Sequence, residues 1–176
     1  MYRKLKNCEL SRLTKDEFKA TTKIPVVLVL DNIRSQHNIG AAFRTADAFA
    51  LEKIILCGIC ATPPSSEIHK SALGAEESID WCYYNESVEA VRDLKRQGFS
   101  IVSVEQTENS TMLHAVSIKG KYALVFGNEV KGVQQEVVDI SDKVVEIPQF
   151  GTKHSLNVSV SIGIVVWEFV KSLKIL

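Results

Sequence analysis

The chain has 176 residues, of which 45% are hydrophobic and 24% charged, a composition that is typical of one globular domain and excludes a disordered chain. Its 21 Lys and Arg residues balance 21 Asp and Glu residues, and this zero net charge argues against a protein that coats nucleic acid without specificity. No apolar run approaches the roughly 20 residues that span a bilayer, and no apolar signal-peptide core follows the first residues. These features predict a cytoplasmic protein with no membrane partner.

The first 23 residues are basic. They contain seven Lys or Arg residues against three Asp or Glu residues, a net charge of +4 that leaves −4 for the rest of the chain. Such a segment suits an arm that docks one folded RNA. It also fits a solvated terminal helix, because Thr14 and Glu17 form an acceptable capping box. We therefore predict a basic arm or helix over residues 1–23 and one folded domain over residues 24–176.

From Ile24 onward, short β-branched runs alternate with helical stretches. This pattern predicts an α/β domain with a largely parallel sheet flanked by helices. The predicted strands are Val26–Leu30, Lys53–Cys57, Phe99–Val104, Tyr122–Phe126 and Lys143–Ile147, with a weaker sixth at Trp81–Tyr84. The predicted helices are Asn38–Ala50, Ser87–Gln97 and Gln134–Ile140.

The four cysteines do not form a recognisable metal site. Cys57 and Cys60 have the Cys-x-x-Cys spacing of a redox or zinc half-site, but no second pair follows. Only His69 and Cys82 could complete a set of metal ligands. Because the predicted strand Lys53–Cys57 is apolar, we expect cysteine here to act as a small hydrophobe, and we predict no metal.

Three separated stretches combine glycines with polar side chains near the ends of predicted strands. They are residues 38–46, 127–132 and 147–159. In the first stretch the apolar residues share one helical stripe, and Arg44 lies off it, where it can point toward the carboxyl ends of the strands. An ordinary solvent-facing arginine would show the same pattern. In the third stretch, residues 155–162 alternate polar and apolar, a periodicity that by itself indicates a strand.

Together these stretches resemble the three motifs of the SpoU (TrmH-type) family of the SPOUT superfamily, which are RNA 2'-O-methyltransferases. The resemblance covers about residues 24–170 and implies methylation of a ribose 2'-hydroxyl of tRNA or rRNA, with S-adenosylmethionine as the cofactor. It also implies a homodimer and a C-terminal deep trefoil knot, with a helix that begins near Ser155 in place of the strand. The cofactor-binding residues that it implies are Val104, Gly127, Ile147 and Leu156.

The resemblance assigns catalytic or site-organising roles to Asn38, Arg44, Glu129, Ser155 and Asn157. We expect Arg44 to pair with a phosphate of the RNA and to stabilise the developing alkoxide, because a guanidinium that stays protonated is a poor general base. Glu129 and Asn157 are expected to fix Arg44 and the loops by hydrogen bonding. Asn38 and Ser155 are expected to orient the ribose or the helix starts.

Two other functions are weighed against this one. A catalytically inactive, knotted RNA-binding protein of the same fold is the alternative, but the complete polar set gives no support for lost turnover. A Rossmann-type nucleotide enzyme is excluded by motif, because the first strand is followed by Asp31-Asn32-Ile33-Arg34 and not by Gly-x-Gly-x-x-Gly. We expect no separate N-terminal RNA-binding domain of the kind that many family members carry, which leaves the identity of the RNA open.

Overall fold

The computed structural model describes residues 2–173. Within them, seven strands form one sheet: β1 (Ile24–Asp31), β2 (Leu51–Cys57), β3 (Trp81–Tyr84), β4 (Ser100–Val104), β5 (Thr111–Met112), β6 (Tyr122–Phe126) and β7 (Lys143–Glu146). Their spatial order is β3-β2-β1-β6-β4-β7-β5, and every neighbouring pair is parallel. The predicted α/β class with a parallel sheet is confirmed.

Helices cover both faces of the sheet. They are α1 (Lys15–Ala20), α2 (Gln36–Ala48), α3 (Ser66–Ala72), α4 (Ser87–Arg96), α5 (Gln135–Asp139) and α6 (Val158–Ser172). Helices α2, α3 and α6 bury apolar side chains on one face, and α4 and α5 do so on the other. No helix among residues 2–173 is long and apolar enough to cross a membrane.

The central strand β1 shows why the sequence forms this arrangement. Successive side chains of a strand point to opposite faces. Leu28 and Leu30 therefore join the apolar cluster on one face of the sheet, whereas Val27 and Val29 join the cluster on the other. All four side chains are fully buried. Because both faces of β1 are covered, the strand needs a continuous apolar run and not an alternation of polar and apolar residues.

Most predicted elements are found near their predicted bounds, including the weaker strand Trp81–Tyr84. Among the described strands and α-helices, two were not predicted, the two-residue strand β5 and the seven-residue helix α3, because each is too short to show a periodicity. Helix α2 begins two residues before the predicted start, since the Ser35 hydroxyl accepts a hydrogen bond from the backbone N–H of Asn38 and caps the helix.

The C-terminal stretch forms helix α6, in agreement with the family resemblance and against the alternating pattern. The helix begins at Val158 with Asn157 as its N-cap, so Ser155 lies just before it. Ile162, Val165 and Phe169 are buried at helical spacing on one side of α6. The trefoil knot stays a prediction.

The basic N-terminal segment is partly packed on the domain. The Thr14 hydroxyl accepts a hydrogen bond from the backbone N–H of Glu17, which confirms the predicted capping box. Phe18 of α1 is buried in the apolar cluster that covers one face of the sheet. Lys15 forms an ion pair with Glu77. Helix α1 is therefore attached to the body, whereas residues 2–13 are exposed.

Candidate active site at the carboxyl ends of the central strands

A pocket of about 520 Å³ lies at the carboxyl ends of β4, β6 and β7, the edge at which open parallel sheets hold their ligands. All four residues that were predicted to bind a cofactor line it. Three of the predicted catalytic residues line it too, whereas Asn38 and Arg44 do not. The predicted residues in the lining are Val104, Gly127, Glu129, Ile147, Ser155, Leu156 and Asn157.

The loop that follows β6 folds back tightly on itself beside this pocket. The backbone N–H groups of Asn128 and Gly132 each donate to the carbonyl oxygen of the other, with N···O distances of 3.0 and 2.9 Å. The side-chain Oδ1 of Asn128 also accepts hydrogen bonds from the backbone N–H groups of Val130 and Lys131. Gly132 has a φ angle of +70°, a conformation that favours glycine. The loop is thus held by its own contacts.

Gly127 is required by this close packing. A Cβ atom at Gly127 would collide with the backbone of Gly132 and Val133. Gly127→Ala should therefore lower the free energy of unfolding by about 1–3 kcal/mol, the usual cost of overpacking. Gly151→Ala is the matched control, because a Cβ there meets nothing within 4 Å in the described chain. Urea denaturation measures both changes, and wild-type stability of Gly127→Ala would contradict the described loop.

Glu129 ties this loop to the start of α2. Its carboxylate accepts three hydrogen bonds of 3.0 Å, from the backbone N–H groups of Arg34 and Ser35 and from the side-chain Nδ2 of Asn38. Burial raises the pKa of the Glu129 carboxyl, but the hydrogen bonds outweigh it, so the pKa lies below its ordinary value. The ionised carboxylate joins the first and second sequence motifs.

Two further carboxylates, which the sequence analysis missed, hold the other end of the same loop. Asp31 is fully buried and accepts hydrogen bonds from the Ser87 hydroxyl at 2.6 Å, the Gln134 side-chain amide at 2.7 Å and the Gln134 backbone N–H at 2.8 Å. Glu105 accepts one from the backbone N–H of Val133 at 2.9 Å. An acidic residue at the end of an apolar strand was the available signal, because a buried carboxylate needs several donors.

The third motif supplies the last wall of the pocket. Asn157 caps α6, where its Oδ1 accepts hydrogen bonds from the Ser159 backbone N–H at 2.8 Å and from the Ser159 hydroxyl at 2.6 Å. The Gln106 side-chain amide donates to the carbonyl oxygen of His154 at 3.1 Å and fixes the preceding loop. Ser155 and Leu156 are exposed between these two points. Their side chains are accessible to a ligand.

Arg44 lies elsewhere. It follows Asn38 by six residues, or about 9 Å along the axis of α2 at 1.5 Å per residue, and this helix leads away from the strand ends. Its side chain is exposed and has no hydrogen bond or ion pair with any residue in 2–173. The expectation that Glu129 and Asn157 fix Arg44 is therefore wrong within one chain. Glu129 reaches only as far as Asn38, and Asn157 caps α6.

The cysteine pair is part of the core. Cys57 is fully buried, and the Cys60 thiol donates to the carbonyl oxygen of Leu30 at 3.2 Å. Burial raises the pKa of Cys57 to about 12 and that of Cys60 to about 11, so both thiols are protonated and unreactive at neutral pH. Among the described residues, metal-ligand spacing occurs at His69, Glu76 and Glu77, none of which lines the pocket.

A family model described as the SpoU rRNA Methylase family matches residues 25–167, nearly all of the sheet domain. This chain belongs to the SpoU family. The match spans the pocket-lining strands and loops and most of α6. The resemblance of the three sequence motifs to this family is confirmed.

Similar proteins are named as RNA 2'-O-methyltransferases. The chain is 33% identical over 153 residues to the 23S rRNA (guanosine-2'-O-)-methyltransferase RlmB of Neisseria meningitidis serogroup B, which covers 87% of this chain and 61% of that protein. It is 32% identical over 146 residues to the tRNA (guanosine(18)-2'-O)-methyltransferase of Aquifex aeolicus, covering 81% of this chain and 67% of that one. This chain spans 61%, 63% and 58% of the length of three RlmB relatives.

Solved SpoU structures have the same fold. The crystal structure of the A. aeolicus TrmH/SpoU tRNA modifying enzyme superposes with a TM-score of 0.81 at 26% identity, over 91% of this chain and 82% of that chain. The AdoMet-bound rRNA methyltransferase from Sinorhizobium meliloti superposes with a TM-score of 0.79 at 27% identity, over 89% of this chain and 60% of that one. The two superpositions cover 91% and 89% of this chain.

Proposed function

We propose that this chain binds S-adenosylmethionine in the pocket of about 520 Å³ and transfers its methyl group to a ribose 2'-hydroxyl of tRNA or rRNA. One observation carries the proposal. The residues that the motif resemblance assigned to the cofactor are far apart in sequence, and the fold brings them into one lining: Val104, Gly127, Ile147 and Leu156. The names of the relatives, rRNA and tRNA 2'-O-methyltransferases, support the reaction.

The residues present fit this cofactor. Val104, Ile147 and Leu156 give apolar surface for the adenine ring and for the carbon atoms of the methionine part. The loops offer backbone groups to the polar atoms of the cofactor. Glu105 and Glu146 also line the pocket, and their negative charge suits the positive sulfonium. When bound, the cofactor supplies an electrophilic methyl group on that sulfonium.

The protein's own part in the reaction is positioning. A bound S-adenosylmethionine would supply the methyl group and leave as S-adenosylhomocysteine, and the proton of the ribose hydroxyl would pass to solvent. Orientation of the two reactants can contribute roughly 7–11 kcal/mol to lowering such a barrier. The hydrogen bonds of Glu129 and Asn157 hold the loops that line the pocket. Ser155 is exposed at its wall, where we propose that it orients the ribose.

Cofactor binding is the first test. Calorimetry should show binding of both S-adenosylmethionine and S-adenosylhomocysteine to the wild-type protein. Leu156→Arg should abolish binding of both compounds, because the long guanidinium side chain would occupy the pocket. Leu73→Arg is the matched control, since Leu73 is exposed and lies outside the pocket. Folded protein that binds neither compound, with or without RNA, would contradict the proposed function.

We also propose that two copies assemble through α6. Val160, Ile164 and Trp167 are 50%, 39% and 48% exposed, and their spacing puts them on one face of the helix. Gly163 beside them leaves open space above the backbone, which allows close approach of another helix. Such an exposed apolar stripe is typical of an interface. In a two-fold homodimer, the stripe of one copy packs against the same stripe of the other. Because Arg44 does not line the pocket of its own chain, we propose that a second copy completes the site.

The assembly has its own prediction. Light scattering at micromolar concentration should give a dimer for the wild type and a monomer for Ile164→Asp, because a carboxylate on the stripe would lose its hydration at the interface. The monomer should still bind the cofactor and should lose methyl transfer. Leu73→Asp, which places the same carboxylate at an exposed leucine away from α6, should remain a dimer. A wild-type monomer with full turnover would exclude a shared site.

A further inference from the structure

A second cleft, of about 830 Å³, adjoins the proposed cofactor pocket. The loop after β6 is a wall of both, since Val130 and Lys131 line each of them. Arg34 and Ile59, in contrast, line only the second cleft. Cofactor binding therefore does not account for this cleft.

The rims of the second cleft are two exposed aliphatic side chains. Ile59 follows β2 and is 63% exposed, and Val130 follows β6 and is 78% exposed. Because β1 lies between β2 and β6 in the sheet, these two loops flank the loop that follows β1. The cleft thus has an apolar rim on each side, with Asn32 of the β1 loop between them.

Asn32 joins the two rims into a fixed frame. Its side-chain Oδ1 accepts a hydrogen bond from the backbone N–H of Ile59 at 3.2 Å, and its carbonyl oxygen accepts one from the Asn128 side-chain amide at 2.7 Å. Its own amide nitrogen donates to the buried carboxylate of Asp31 at 2.8 Å. A site held in this way loses little conformational freedom when a ligand binds.

The charge of the cleft favours an anion. Arg34 and Lys131 both line it, and neither side chain has a hydrogen bond or an ion pair within residues 2–173. Glu136 is the one acidic residue in the lining. The backbone N–H of Arg34 donates to the Glu129 carboxylate at 3.0 Å. The backbone of Arg34 is therefore fixed, while its guanidinium is available to a ligand.

We propose that this cleft binds one unpaired nucleotide of the RNA, adjacent to the nucleotide whose ribose is methylated. Its base lies between Ile59 and Val130, and its phosphate pairs with Arg34 and Lys131. The inference rests on the proposed function: because the loop after β6 lines both cavities, a strand whose ribose reaches the cofactor can extend across this loop into the cleft. A base has two flat apolar faces, and unstacked bases are what proteins bind in single-stranded RNA. A duplex keeps its bases stacked and cannot fill the cleft.

The test separates phosphate from base contacts through salt dependence. Fluorescence anisotropy at several salt concentrations gives the affinity for labelled single-stranded oligo(A), oligo(C) and oligo(U) and for total tRNA. Arg34→Ala should bind roughly fivefold to tenfold more weakly, and its slope of log affinity against log salt should fall by about 0.7, the value for one lost phosphate contact on a single strand. Ile59→Ala should weaken binding at every salt concentration and leave the slope unchanged, because it removes no charge.

The control is Arg92→Ala, which removes another exposed arginine, on α4 and outside both cavities. It should leave affinity and slope unchanged. Calorimetry should show wild-type cofactor affinity in Arg34→Ala and Ile59→Ala, since neither residue lines the cofactor pocket. Wild-type RNA affinity in both variants, or an equal loss in Arg92→Ala, would overturn the cleft assignment. So would a wild-type protein that binds the cofactor and none of these RNAs. Absence of cofactor binding and of methyl transfer would instead refute the proposed function.

Discussion

Replacing Arg44 by alanine should lower the rate of methyl transfer by about 10²- to 10³-fold, the usual cost of removing one group that stabilises developing charge. The fold and the cofactor affinity should stay at wild-type levels, because Arg44 is exposed and does not line the pocket. The physical reason is the proposed contact with a phosphate and with the forming alkoxide. Single-turnover rates measure the loss, and calorimetry with S-adenosylhomocysteine measures cofactor binding.

The lysine variant decides between two roles for Arg44. An ammonium keeps the charge but does not reproduce the two-pronged contact of a guanidinium with a phosphate. Arg44→Lys should therefore also be slow, whereas Arg92→Ala, at an exposed arginine on α4, should transfer methyl groups at the wild-type rate. Nearly normal turnover by Arg44→Lys would contradict the phosphate contact and would leave only a general need for positive charge.

The second large effect is expected at Glu129. Glu129→Gln keeps the size of the side chain but puts an NH₂ group where the carboxylate accepted hydrogen bonds from Arg34, Ser35 and Asn38. At least one of these three N–H donors then faces the new NH₂ group, which is also a donor. We expect the loop after β6 to separate from the start of α2 as a result. We expect methyl transfer to fall by about 10²-fold and cofactor affinity to weaken, because Glu129 lines the pocket. Since Glu129 is exposed, the loss of stability should be modest, about 1 kcal/mol.

The Glu129 contribution should also depend on pH. Its pKa in the folded protein lies below the ordinary value. Its stabilising effect is therefore fully present above the pKa of the unfolded chain, roughly 4.3, and is lost as the pH falls through the lower folded value. Stability curves of wild type and Glu129→Gln should differ at neutral pH and converge in acid. Glu108→Gln, at an exposed acid in the loop after β4, should follow the wild type throughout. Curves that stay apart in acid would exclude the charge as the cause.

Glycines and apolar strands made much of the site predictable from the sequence. Gly127 marks a loop whose backbone segments nearly touch, and the strands beside it are apolar enough to be placed correctly. The pocket-lining residues follow, because parallel strands end at one edge of the sheet. Asp31 could not be placed in the same way. Its four hydrogen bonds come from Asn32, Ser87 and Gln134, and two of these residues are distant in sequence.

The start of α6 and the position of Arg44 show two further limits of sequence patterns. Residues 155–162 alternate as in a strand, yet Asn157 caps a helix whose buried residues continue to Phe169 at helical spacing. The window that indicated a strand was too short to include them. For Arg44, the helical wheel correctly placed the side chain off the buried stripe. It carried no information on distance along the helix axis, which keeps Arg44 out of the pocket of its own chain.

Methyl transfer to the ribose is tested most directly by labelling. The purified protein is incubated with S-adenosylmethionine that carries an isotope-labelled methyl group and with tRNA and rRNA from cells that lack the gene. The RNA is then digested to nucleosides for mass spectrometry. We predict label in a 2'-O-methylnucleoside, and about 10²- to 10³-fold slower labelling when Arg44→Ala replaces the wild type. Label only on a base would contradict ribose methylation. Binding of both RNA and cofactor without any transfer would instead identify an inactive RNA-binding protein of the same fold.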